Sequence, residues 1–135
     1  MKYQHLLSCL PLALLLMAPP VEAYPNVTIK SCSDGDTCRT SKDEKIRLAC
    51  IDAPELTGPE ADPVPAKAAR HYLQRLVIGK QVEIRRITKD RYGRTVAELF
   101  LAGPHITQRN VQQLMVARGH AVVMPKYAKQ CPWTR

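Results

Sequence analysis

Three carboxylates and two guanidinium groups stand where they could do chemistry. Asp36 belongs to the turn Ser33-Asp34-Gly35-Asp36-Thr37. Asp52 and Glu55 close the stretch Ile46-Arg47-Leu48-Ala49-Cys50-Ile51-Asp52-Ala53-Pro54-Glu55, with Arg47 inside its otherwise oily run, and Arg94 follows the turn Asp90-Arg91-Tyr92-Gly93. If the two acidic turns meet at one rim, their charges repel unless a cation neutralises them. Hard oxygen ligands of this kind select Ca²⁺ or Mg²⁺ over zinc. A guanidinium is a planar fork that matches two phosphate oxygens, and a cation within an apolar strand is costly without an anion. Two such forks beside a metal and a spare carboxylate are the parts for phosphodiester hydrolysis. The cations hold the developing charge, and the carboxylate positions or deprotonates water. The same residues admit plainer readings. Acids in turns serve as turn formers, and Arg47 serves as a structural ion-pair partner of Asp52 or Glu55.

The elements that must position these groups follow from pattern. Residues 24–32 alternate apolar and polar side chains as a half-buried strand. Asp34-Gly35 supplies the tight turn, and residues 38–40 begin the return. After a polar loop, residues 46–51 read as one buried central strand. Pro54 ends it, because proline cannot donate to a ladder. Gly58, Pro59, Pro63 and Pro65 mark an irregular loop. A helix is predicted from Pro65, with Ala69, Tyr72, Leu73, Leu76 and Val77 on one apolar face and Gly79 ending it. Residues 81–87 and 95–101 are two further strands joined by the 90–94 turn. Gly103-Pro104 breaks the chain, and Val111, Leu114 and Met115 mark a second short helix closed by Gly119. The 121–124 stretch is short and apolar, and the tail has little periodicity. This order fits an α+β chain built on a five-stranded Greek-key β-barrel of the oligonucleotide/oligosaccharide-binding (OB) type. One helix follows strand 3 and a second, short helix follows strand 5.

Residues 1–23 read as a signal peptide, with a positive start, an apolar run too short to span a membrane, and small residues before a cut after Ala23. That leaves residues 24–135 as a single small domain, secreted or periplasmic. The formal net charge is +8. The leader removes Lys2 and Glu22 and leaves that balance unchanged. Such a charge suits nucleic acid, an acidic polymer or an anionic membrane, or a basic surface with no single partner. Four cysteines remain after the leader: Cys32, Cys38, Cys50 and Cys131. An even count in a small exported domain implies disulfides, with about three pairings possible. The local pair Cys32–Cys38 across a turn is favoured over tight zinc-ligand spacing, which leaves Cys50–Cys131 to tie the tail to the centre.

Asp34-Gly35-Asp36-Thr37, then Ile46 through Glu55, then Asp90-Arg91-Tyr92-Gly93-Arg94 together resemble the signature segments of the staphylococcal nuclease (thermonuclease) family. The later part from Asn110 to Gly119, and Tyr127, resemble it too. The resemblance implies a five-stranded barrel and a Ca²⁺-dependent hydrolase of DNA and RNA. It implies carboxylate ligation by Asp36 and Asp52 and carbonyl ligation by Ala53, with Asp34 supporting them from behind. Glu55 would be the general base or orient the water. Arg47 and Arg94 would hold the phosphate, and Arg91, Tyr92 and Tyr127 would line the nucleotide pocket. Attack in line with the 5′-oxygen would leave 3′-phosphate ends. The family pattern has two pocket tyrosines near the tail, whereas Pro125 occupies the first place here. A long C-terminal helix of the family is also missing, and Cys50–Cys131 would replace its anchoring. Two further readings remain: a barrel that binds single-stranded nucleic acid without cutting it, and a basic protein acting on membranes. The 66–77 helix is only modestly amphipathic, so the last is disfavoured. A monomer without stable membrane association is expected after the leader is cut.

Overall fold

The computed structural model describes residues 23–103 and 109–135. The proposed leader, apart from Ala23, lies outside these residues, as does Pro104. The elements run β1 (Asn26–Cys32), β2 (Thr37–Thr40), β3 (Lys45–Leu48), β4 (Ile51–Asp52), α1 (Pro63–Val77), β5 (Gln81–Lys89), β6 (Thr95–Leu101), α2 (Val111–Ala117) and β7 (Val122–Val123). Two short 3₁₀ segments, Pro125–Gln130 and Pro132–Thr134, finish the chain.

Five strands close a barrel in the order β1-β2-β3-β6-β5. Neighbours pair antiparallel except at the seam. There β3 runs parallel to β6, with Ile46 opposite Thr95 and Leu48 opposite Ala97. This is the expected OB-type α+β barrel, with α1 between the third and fourth barrel strands and α2 after the fifth. Alternation along each strand turns Ile29, Ile46, Leu48, Val82, Ile84, Ala97 and Leu99 inward. Leu73 and Val77 of α1, with Val111 and Met115 of α2, cap that core. Among the described residues no helix is long and apolar enough to cross a membrane.

The helix α1 begins at Pro63, two residues before the expected start. Both Pro63 and Pro65 sit in the first turn, where a missing N–H removes no intrahelical bond. The central stretch departs further from expectation. Residues 46–51 are not one strand: β3 stops at Leu48, Ala49 and Cys50 turn, and β4 departs to pair with β7, Ile51 opposite Val123 and Asp52 opposite Val122. Cys50 makes the corner with a left-handed backbone, φ +66°. The run reads as continuous because the corner itself is buried, packed under Ile87, Val96 and Trp133.

Both expected disulfides are present. Cys32 and Cys38 face each other in the β1–β2 register, and Cys50 joins Cys131 across 81 residues of sequence. Where β3 leaves the seam, a side chain takes over. Fully buried Gln112 of α2 donates from Nε2 to Ala97 O (3.0 Å) and accepts at Oε1 from Leu99 N (3.1 Å). The open edge of β6 thereby keeps its hydrogen bonds.

Candidate active site

The β1–β2 turn presses Asp36 inward. Gly35 permits this, because a Cβ there would lie 2.7 Å from both the Ala53 and the Ala69 methyl carbons. At that closeness Asp36 Oδ2 accepts from the Ala53 N–H at 2.9 Å, and the Asp36 carbonyl accepts from Leu48 N at 2.8 Å. Asp36 N–H is held by Asp34 Oδ1, and Thr37 Oγ1 donates to Asp36 Oδ1, both at 3.1 Å. Asp36 is buried at 4% exposure. Burial pushes its carboxyl up from 3.8 to about 7, against the pull of Arg47 and with a further push from Asp34.

Arg47 organises the rest. Its Nη1 donates to both Leu48 O and Ile51 O at 2.9 Å, spanning the β3–β4 corner. Its Nη2 lies 3.3 Å from Asp36 Oδ2 and 3.4 Å from Asp52 Oδ1. Two carboxylates from separate turns therefore converge on one nitrogen. The ion-pair reading of Arg47 is realised with Asp36 and Asp52, and not with Glu55. Asp52 is half exposed and is fixed through its backbone by β7. The tail, which carried no periodic signal, is thus what holds this acid in place.

A cleft of about 590 Å³ opens beside Arg47. Arg94 lies across it, with Arg91, Tyr92 and Tyr127 among the lining residues. Arg94 Nε donates to Asp90 Oδ2 at 2.7 Å, and its own N–H donates to Asp90 Oδ1. Burial raises the Asp90 carboxyl, but these bonds outweigh it and hold the group below its usual range. The Tyr92 ring is largely exposed, with the Arg91 and Arg94 guanidinium carbons 4.9 and 5.4 Å from its centroid. Lys126 sits 5.3 Å from the Tyr127 ring centre. Sequence reasoning missed Lys89, Lys126 and Gln130, which also line the cleft. Lys89 abuts the Asp90 turn and was findable there, whereas the tail pair had no pattern to betray it.

Glu55 stands apart from this set. It is exposed on the loop after β4, anchored through its carbonyl, which accepts from Asp62 N at 2.9 Å. Among the described residues its carboxylate has no hydrogen-bond or ion-pair partner. The expectation that Asp36, Asp52 and Glu55 converge holds for the first two. Among the described residues no group of three His, Cys, Asp or Glu side chains forms a metal cluster. The donor set still suits a hard divalent ion. It offers two carboxylates aimed at one point and a buried Asp36 whose negative charge a single shared guanidinium compensates incompletely.

One consequence is measurable in chelator. The folded Asp36 carboxyl holds its proton more tightly than the unfolded one, so ionising it disfavours the fold as pH rises from about 4 to about 7. The stability of the wild type minus that of Asp36→Asn is expected to fall across that window, by at most about 1 kcal/mol per pH unit. Glu44 and Asp90 act in the opposite sense, since their carboxyls are held low and their contributions are lost below that window. Urea midpoints at several pH values measure the difference, and a flat line contradicts the assignment.

A sequence profile described as "Staphylococcal nuclease homologue" matches residues 45–133, which span the seam strands, the Arg47 corner, the cleft and the tail. The chain belongs to the staphylococcal nuclease homologue family. It is similar to a thermonuclease of Staphylococcus intermedius, 34% identical over 79 residues, covering 54% of this chain and 47% of the relative. It is similar to staphylococcal-like nuclease CAN1 of Arabidopsis thaliana, 33% identical over 96 residues, 69% of this chain and 27% of the relative. Protein ParB of Escherichia coli is 32% identical over 126 residues, 88% of this chain and 68% of the relative. The chain therefore spans about half of the thermonuclease and about a quarter of the plant protein.

Proposed function

We propose that this member of the staphylococcal nuclease family is a secreted or periplasmic, calcium-dependent endonuclease. It would hydrolyse phosphodiester bonds of DNA and RNA as a monomer, with low sequence specificity, and leave 3′-phosphate ends. The observation that carries this reading is the convergence of Asp36 and Asp52 on Arg47 Nη2 at the wall of a cleft that also holds Arg94. Names of relatives support it: a thermonuclease, a staphylococcal-like nuclease and an uncharacterized endonuclease of Haemophilus influenzae. Two disulfides suit an oxidising compartment after removal of residues 1–23.

Asp36, Asp52 and the Ala53 carbonyl would hold Ca²⁺. When bound, the ion supplies positive charge against the phosphate oxygens. The chain's own groups do the remainder. Arg47 and Arg94 grip the scissile phosphate from two sides and meet the charge that builds on it. Arg91, Tyr92 and Tyr127 seat the nucleotide, reading phosphate and ring faces and leaving base edges unread, which accounts for low specificity. Glu55, exposed and unpaired, orients a water or takes its proton as the oxygen attacks phosphorus in line with the departing 5′-oxygen.

Plasmid nicking with calcium and with chelator tests the reading. Cleavage that requires calcium supports it. No cleavage, with salt-sensitive binding retained, would instead make the protein a non-catalytic module for single-stranded nucleic acid. Glu55→Gln is expected to keep the thermal midpoint and substrate affinity while losing well over ~10-fold in kcat. An unchanged kcat removes Glu55 from the mechanism.

A further inference from the structure

A second cleft, of about 320 Å³, lies on the barrel wall and is lined by Ser31, Ser33, Thr37, Cys38, Arg39, Lys45 and Arg94. Arg94 borders both clefts. None of the residues lining the second is acidic. The strand register explains its composition. Ser31 pairs with Arg39, Arg39 with Lys45, and Thr37 with Arg47. Residues two apart on a strand share a face, so Arg47 and Lys45 point the same way from β3, while Ile46 between them is buried in the core. A single outward row thus runs from Arg47 to Lys45 and across to Arg39 and Ser31.

The groups in this row are available. Lys45 is exposed and has no ion-pair partner among the described residues. Arg39 engages Asp43 through Nη1 alone, at 3.3 Å to its carbonyl and 4.0 Å to its carboxylate. Arg94 spends Nε on Asp90, which leaves its two terminal nitrogens without a partner among the described residues. Three cations and the Ser31 and Ser33 hydroxyls, with no acid in the wall, are donors suited to phosphate oxygens.

We propose that the Ser31–Arg39–Lys45 face is a second phosphate subsite, which holds the phosphate next to the one gripped at Arg47 and Arg94 on the same single strand of nucleic acid. This rests on the nuclease reading above and adds a direction to it: the strand leaves the main cleft over Arg94 and crosses β3 and β2. About 6.7 Å separates successive same-face residues on a strand, a step close to that between neighbouring phosphates in an extended chain.

The test uses the double variant Lys45→Gln, Arg39→Gln, neither residue belonging to the main cleft. Two readouts are taken on wild type and variant. The first is calcium-dependent turnover of a chromogenic mononucleotide phosphodiester, too short to reach the second cleft. The second is the dissociation constant of a fluorescent oligothymidylate of about 12 nucleotides in chelator, as a function of salt. Turnover of the short ester is expected to be unchanged, which also shows that the variant folds. The oligonucleotide is expected to bind roughly 5–10-fold more weakly at low salt, and the slope of log affinity against log salt to become shallower by about one to one and a half, as for one to two lost phosphate contacts. Unchanged affinity and slope overturn the subsite. A wild type that turns over no ester overturns the nuclease reading separately, and the binding slopes still decide whether the face holds phosphate.

Discussion

Arg47→Lys is expected to lower kcat/KM on a long substrate by about 10³-fold or more, although the charge is kept. The guanidinium does two jobs at once. One nitrogen clamps the β3–β4 corner through Leu48 O and Ile51 O, and the other meets Asp36 and Asp52. An ammonium on a flexible stem cannot satisfy both sides, so either the two carbonyls or the two acids lose their donor. Loss of one preoriented donor at a developing anion costs a factor of about 10²–10³, and the displaced corner adds to it by moving Asp52. The buried carbonyls left unpaired should also lower stability by about 1–3 kcal/mol. Steady-state kinetics and urea unfolding measure the two effects. A lysine variant within tenfold of wild type in kcat/KM would show that the corner, and not the phosphate, is what Arg47 serves.

The second large effect is expected from the double change Cys50→Ser, Cys131→Ser. Cross-linking residues 81 apart restricts the unfolded chain strongly, so about 2–5 kcal/mol of stability should disappear. The companion pair Cys32–Cys38 closes a loop only six residues apart, across a turn already paired in register, and its loss should cost less. The two should differ in calcium binding as well. Cys131 pins the tail beneath Cys50, Met124 N donates to Cys50 O at 2.8 Å, and β7 just before it fixes Asp52. Freeing the tail should weaken calcium affinity by about tenfold, as expected when a support behind a ligand is lost. Freeing the β1–β2 pair should affect it through Asp36 alone. Calorimetric titration with calcium and thermal unfolding of both double variants give the comparison. Equal losses in the two would contradict this division of labour.

Much of this was legible in the sequence, for physical reasons that differ from place to place. Asp34-Gly35 and Tyr92-Gly93 announce tight turns through the backbone freedom they need, so the hairpins and the acids at their tips could be placed. Period-two alternation in residues 26–32 and 81–89 reports a strand with one face in a core. The corner at Ala49-Cys50 left no such mark. It is apolar because it is covered, and nothing in a cysteine signals φ +66°. The pairing of β4 with β7 was equally silent, because two residues on each side are too few to show alternation. The isolation of the Glu55 side chain, three residues from Asp52, depends on how the Pro-rich loop folds back to Ala61, which spacing does not encode.

The contact at Gly35 has a consequence for which substitutions the chain tolerates. Three small residues from distant parts of the sequence, Gly35, Ala53 and Ala69, share one clearance, and the first already has nothing left to trim. Bulk added at position 53 or 69 therefore has no counterweight within the trio. It must be absorbed by shifting either the first helix outward or the acid-bearing turn away from its amide partner. Residue size at these three positions is a single quantity with a ceiling, and the distance between helix and carboxylate is what that ceiling protects.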